Sequence, residues 1–179
     1  MFDSAGHLPY TGIVREQVAD AFIDAVRQVL EETGIVIDGI GTPSSPEEED
    51  QVVTSVGLVG DIKGVFMLLT DAASAASIAR SMTGGMGIVL GDDVIDQIQM
   101  TALAELSNQI SGRAITLLSA FDIHCDITPP AVLAARQLKS LVPDIARPFQ
   151  RTITGSFGRL TLYLGIVAYE SSIEREKTS

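Results

Sequence analysis

With 179 residues, 46% of them apolar, and a mean hydropathy of +0.29, the chain suits one domain with a sizeable core and is too apolar to be largely disordered. Its net charge of −11 and isoelectric point of about 4.4 argue against nucleic acid and anionic membrane surfaces, both of which are held through Lys and Arg. No stretch approaches the roughly 20 uninterrupted apolar residues that span a bilayer, so no membrane insertion is expected.

Met1 to Arg15 carries Asp3, His7 and Pro9 and lacks the basic start and apolar run of a secretory signal, which makes a cytoplasmic protein the expectation. The lone Cys125 cannot form an internal disulfide and reads as a small core residue inside an apolar strand. His7 and His124 have no second Cys or His pair to join, so no metal site is expected.

Residues 1–10 read as a loose lead-in, 11–170 as a single domain and 171–179 as a mobile charged tail. From Ile13 to Thr33, Val18, Ala21, Phe22, Ala25, Val26, Val29 and Leu30 recur three and four apart, which predicts an amphipathic helix with Gly34 as its stop. A short strand at Ile35-Val36-Ile37 and a turn-rich acidic loop from Gly41 to Asp50 follow. Val52 to Leu58 and Lys63 to Thr70 read as a hairpin turning at Gly60-Asp61. Asp71 can cap an alanine-rich helix over Ala72–Met82, closed by Thr83-Gly84-Gly85-Met86-Gly87. That glycine cluster has no strand before it and no Gly-Lys-Ser/Thr after it, so it reads as a loop and not as a phosphate cradle.

Asp92 or Asp93 opens the longest helix, which runs to about Ala120 with Ile95, Ile98, Ala102, Leu106, Ile110, Ala114 and Leu117 as its buried stripe. Strands are expected near 122–128, 131–136, 148–155 and 158–169, interrupted by Pro129, Pro130, Pro143 and Pro148. Few long helices and clustered hairpins predict an α+β fold, an antiparallel sheet packed against two long helices plus a shorter one.

The chain's only asparagine, Asn108, falls midway along that longest helix. Asparagine is mildly unfavourable there because its side chain competes for backbone hydrogen bonds. At about 100° per residue, Thr101, Glu105, Asn108 and Gly112 share an outward stripe roughly 60° wide, opposite the Leu106–Ile110 seam. Gly112 is a second local sacrifice on the same stripe, worth about 1 kcal/mol against alanine. A carboxylate and an amide therefore project side by side from a rigid support. With no histidine or cysteine nucleophile nearby, the pair is not a self-contained hydrolase site, and a partner has to supply both electrophile and metal. An exposed Glu-x-x-Asn by itself is equally what a solvated helix face contains.

Glu105-Leu106-Ser107-Asn108-Gln109-Ile110-Ser111-Gly112-Arg113-Ala114 resembles the Glu-Ile-Ala-Asn-Met-Ile-x-Gly-Asn-Ala signature of the CheC/CheX/FliY chemotaxis phosphatases. Gly57-Leu58-Val59-Gly60-Asp61-Ile62-Lys63-Gly64 is similar to that family's hairpin, Ser81-Met82-Thr83-Gly84 to its helix end, and Thr128-Pro129-Pro130 to its proline-marked strand end. The likeness runs from about residue 13 to 169, and the single signature helix points to the CheX branch. Two departures stand out: Thr101 where Asp or Ser is usual, and Pro130 one position short of the family's spacing from Asn108.

The resemblance implies a phosphatase for the aspartyl phosphate of a CheY-like response regulator, with Glu105 and Asn108 as catalytic residues and Thr101 and Gly112 as a supporting stripe. It implies that Asn108 positions a water in line with phosphorus while Glu105 pairs with the regulator's lysine. The protein would need no cofactor of its own, Mg2+ being held by the regulator. It also implies a homodimer exchanging a terminal strand, for which the segment bearing Leu160, Leu162 and Leu164 is the candidate edge. The competing readings are a non-catalytic regulator-binding module related to flagellar-switch domains, and a sensing or scaffold domain in which Glu105 and Asn108 are merely solvated.

Overall fold

A computed structural model describes residues 10–43, 52–84, 97–134 and 148–169. In chain order these form α1 (Tyr10–Glu32), β1 (Ile37–Gly41), β2 (Val52–Gly60), β3 (Ile62–Thr70), α2 (Ala72–Met82), α3 (Gln97–Ser119), β4 (Cys125–Ile127), β5 (Ala131–Ala134), β6 (Phe149–Gly155) and β7 (Gly158–Tyr169). The predicted lead-in apart from Tyr10, which opens α1, the tail, most of the acidic loop, the Gly85–Gly87 cluster, and Ile95 with the Asp92–Asp93 start all lie outside the described residues.

The seven strands form one antiparallel sheet in the order β1-β6-β7-β3-β2-β4, with β5 pairing β2 beyond β4 along the same edge. The predicted α+β architecture is therefore present. Two 23-residue helices and an 11-residue helix stand with the sheet, and none of the described helices is long and apolar enough to cross a membrane.

The helices cover one sheet face because their apolar stripes have no other way to leave water. Val18, Phe22, Val26, Val29 and Leu30 of α1 and Leu103, Leu106, Ile110, Ala114 and Leu118 of α3 share one core with Phe66, Leu68, Leu160 and Leu162 of the strands. Phe22 and Phe66 meet at 4.7 Å between ring centroids. Strand side chains alternate between faces, and the opposite face carries a second buried set, Val53, Met67, Leu69 and Tyr163. The centre of the sheet is thus apolar on both sides.

Local capping corrects two predicted boundaries. Ile35 does not open a strand: its N–H donates to Leu30 O at 2.9 Å while Gly34, at φ +75, ends α1 in the left-handed conformation. The extended segment starts at Ile37. Likewise Asp122, at φ +59, closes α3 with Ile123 N–H donating to Leu118 O at 3.3 Å, so β4 begins at Cys125 and not at 122. At the start of α2 the predicted cap is present, Asp71 accepting from Ser74 N–H at 2.8 Å.

Tertiary packing corrects two more expectations. Ile98 stays 39% exposed and Leu117 only half-buried, whereas Leu103 and Leu118 are fully buried. Because α3 lies against α1 on one side and meets α2 through Ala102 and Ala79 on another, its buried arc is wider than one stripe and turned from the predicted centre. Leu160, Leu162 and Leu164 do not form an edge. β7 sits inside the sheet between β6 and β3, hairpinned to one and paired with the other from Ile62↔Tyr169 to Leu69↔Thr161. The edges of the described sheet are β1 and the β4–β5 segment.

Candidate functional site: a groove between α3 and the Thr128–Pro130 strand end

The rotation of α3 is set from its buried side. Leu106 and Ile110 enter the core, and between them the buried Ser107 hydroxyl hydrogen-bonds the Thr54 hydroxyl on β2. A buried polar pair is satisfied only in one register, so it fixes the azimuth of the helix more sharply than apolar packing alone. One residue further on, Asn108 is thereby turned outward.

All four stripe residues emerge as expected: Thr101, Glu105 and Asn108 are exposed and Gly112 half-buried. Thr101, Ala104, Glu105 and Asn108 form one side of an open groove of about 460 Å³, whose other side is Ile127, Thr128, Pro129 and Pro130. Gly112 lies one turn beyond it. The one-residue shift in proline spacing is immaterial to this geometry, since both prolines line the groove. A second, more apolar groove with Met82, Ile98 and Ala102 adjoins the first through Thr101 and Glu105.

Hydrogen bonding separates the members of the stripe. Thr101 donates its hydroxyl to Gln97 O at 2.7 Å, and Glu105 accepts from Gln109 Nε2 at 2.8 Å. Arg113 is drawn away to α1, reaching Gln28 Oε1 at 2.8 Å and both Glu32 oxygens at 3.0 Å. Thr116 and Ser119 donate to backbone carbonyls. Asn108 is the one exposed polar side chain from Thr101 to Ser119 with no hydrogen-bond partner among the described residues. Its amide, carrying both donors and an acceptor, is free for an incoming group.

The far wall is built by residues that the sequence marked only through resemblance. Gly57 N–H donates to Thr128 Oγ1 at 2.8 Å and Thr128 N–H donates to Gly57 O at 3.0 Å. A side chain at 57 would place its Cβ 2.9 Å from Thr128 Cγ2, so glycine is what lets the wall approach. One turn of the hairpin away, the buried carboxylate of Asp61 accepts from His124 N–H at 2.8 Å while Asp61 N–H donates to His124 O at 2.9 Å. The two Gly-x-x-Gly-Asp contacts clasp β4 onto β2 and so carry Thr128-Pro129-Pro130 to a place opposite Glu105 and Asn108. Pairing across a sheet is invisible to local periodicity, which is why Thr128 and Ile127 were not site candidates from sequence.

Among the described residues Glu105 is the only ionisable group lining the groove, and with Arg113 it is the only charged residue of α3. No group of three or more His, Cys, Asp or Glu lies together among the described residues. The groove can present a carboxylate and an unengaged amide about one helical turn apart. It brings no nucleophile.

A sheet of this topology covered by two long helices and a shorter one defines a fold shared with solved chemotaxis proteins. The CheX of Desulfovibrio desulfuricans superposes with a TM-score of 0.66 at 20% identity, over 83% of this chain and 98% of that one. The CheX of the CheX-CheY-BeF3-Mg complex from Borrelia burgdorferi does so with a TM-score of 0.67 at 22% identity, over 82% and 96%. In sequence, the "CheY-P phosphatase CheX" of Thermotoga maritima is 28% identical over 126 residues, which is 69% of this chain and 79% of that protein. The family model described as "Chemotaxis phosphatase CheX" matches residues 52–154, a span that contains the hairpin, α3 and the proline wall, and the chain belongs to that family.

Proposed function

We propose that this protein hydrolyses the aspartyl phosphate of a CheY-like response regulator by inserting Glu105 and Asn108 into the regulator's site. The free Asn108 amide beside a lone carboxylate at the lip of the groove is the observation that carries this reading. Asn108 holds a water in line with phosphorus. The water oxygen bonds to phosphorus as the bond to the aspartyl oxygen breaks, giving inorganic phosphate and the regulator's carboxylate, with the water's proton released. Acyl phosphates are already reactive, so orientation on a rigid support supplies most of the acceleration. Glu105 engages the regulator's lysine, and Mg2+ belongs to the regulator's site and needs no ligand from this chain.

Mixing the protein with a phosphorylated CheY-like regulator and Mg2+ is expected to accelerate phosphate loss severalfold or more at substoichiometric amounts. Binding with no acceleration would replace this reading by the non-catalytic module, and neither would leave the helix face merely solvated.

Gly112 has a place in the same reading. It lies inside α3, and beyond the helix's own adjacent backbone no described atom lies within 4 Å of where its Cβ would be, so packing among the described residues does not require glycine. Its return comes from outside, through close approach of the regulator beside Asn108. Gly112→Ala is therefore expected to stabilise the fold by about 1 kcal/mol in urea unfolding while raising the KM for phosphorylated regulator. A stability gain with KM unchanged removes Gly112 from the docking face.

A further inference from the structure

Gln109 departs from the methionine of the signature, and the structure shows it making the only side-chain hydrogen bond to Glu105 among the described residues. A carboxylate only accepts, so the 2.8 Å contact orients the Gln109 amide with its NH2 toward Glu105 Oε1. The two are four residues apart on one helix face, where such pairs meet in register. We infer that Gln109 is a positioning residue, which holds Glu105 in the rotamer that captures a cationic group of the regulator.

The chemistry of the restraint matters. A lysine or arginine at 109 would neutralise Glu105 and compete with the incoming cation, whereas an amide restrains one oxygen and leaves the charge and the second oxygen available. Arg113, the only cation on the helix, is held away by Gln28 and Glu32. No other ionisable group among the described residues lines the groove. Glu105 thus waits oriented and uncompensated, and the rotamer entropy that binding would otherwise remove is partly removed in the free protein.

This inference rests on the assignment of Glu105 as the group that meets the regulator, and its test separates the two. Gln109→Met keeps helix propensity nearly constant. Initial rates of phosphate loss against regulator concentration are expected to show KM raised about twofold, as an exposed pair of this kind allows, with kcat unchanged. In a Glu105→Ala background the same substitution is expected to leave KM unchanged. Equal KM for wild type and Gln109→Met overturns the inference alone. So does an undiminished effect in the Glu105→Ala background, which would mean that Gln109 touches the regulator itself. A wild-type protein without phosphatase activity overturns the functional reading as well.

Discussion

Replacing Asn108 with alanine is expected to slow dephosphorylation of the regulator by about 100-fold or more, the scale associated with losing the orientation of a reacting group. The effect falls on kcat, because the amide acts on the water and contributes little to docking. Stability should move the other way. Asn108 is exposed, forms no side-chain hydrogen bond among the described residues, and sits inside a helix where alanine is better by several tenths of a kcal/mol. A variant that is slightly more stable, binds normally and does not turn over separates chemistry from folding. Single-turnover rates beside urea unfolding measure both. Retention of more than about half the wild-type rate would mean the water is positioned by some other group, the hydroxyl-bearing groove residues being Thr101 and Thr128. Glu105→Ala is the contrasting case: its loss belongs mainly in KM, about tenfold or more if one charge-assisted contact disappears.

Gly60→Ala has the largest expected effect on the fold, a loss of about 3 kcal/mol or more out of a typical total of roughly 5–15. Two penalties coincide. Gly60 has φ +114, where a side chain is strained. Its Cβ would also stand 2.7 Å from His124 O and 3.0 Å from Cys125 Cα, both backbone atoms that cannot swing aside. Relief requires β4 to leave β2, which breaks the Asp61–His124 clasp and carries the Thr128–Pro130 wall off the groove. Phosphatase activity should therefore fall even at temperatures where the variant is folded. Urea midpoints for Gly60→Ala and Gly112→Ala make an internal comparison, one substitution at two glycines with opposite expected signs. A loss below about 1 kcal/mol for Gly60→Ala would refute the account of the clasp.

Much of the local structure was legible in the chain. α1 and α3 announce themselves through apolar residues three and four apart, α2 through the Asp71 cap, and the β2–β3 hairpin through strand-forming runs around Gly60-Asp61. The outward direction of Thr101, Glu105, Asn108 and Gly112 followed from helical periodicity alone and is what the structure shows. The differences share a cause. Ile35 and Asp122 look like strand in the sequence because capping hydrogen bonds to Leu30 and Leu118 leave little trace in hydropathy. Ile98 looks buried because a stripe drawn for one neighbour does not fit a helix flanked by two. Leu160, Leu162 and Leu164 look like an edge because alternation reports which face a residue takes and nothing about a strand's neighbours.

By itself, then, the sequence determined that a carboxylate and an amide would leave the long helix side by side, since a 3.6-residue repeat fixes relative direction within one element. Tertiary structure decided what they face. Only the pairing of β2 with β4 and β5, on either side of Thr128, Pro129 and Pro130, brings those three residues across the groove, through contacts some 70 residues apart in the chain. Only side-chain geometry shows Glu105 tethered by Gln109 while Asn108 remains free. Direction along a helix is local, whereas a groove and the engagement of its groups depend on which distant residues the core draws together.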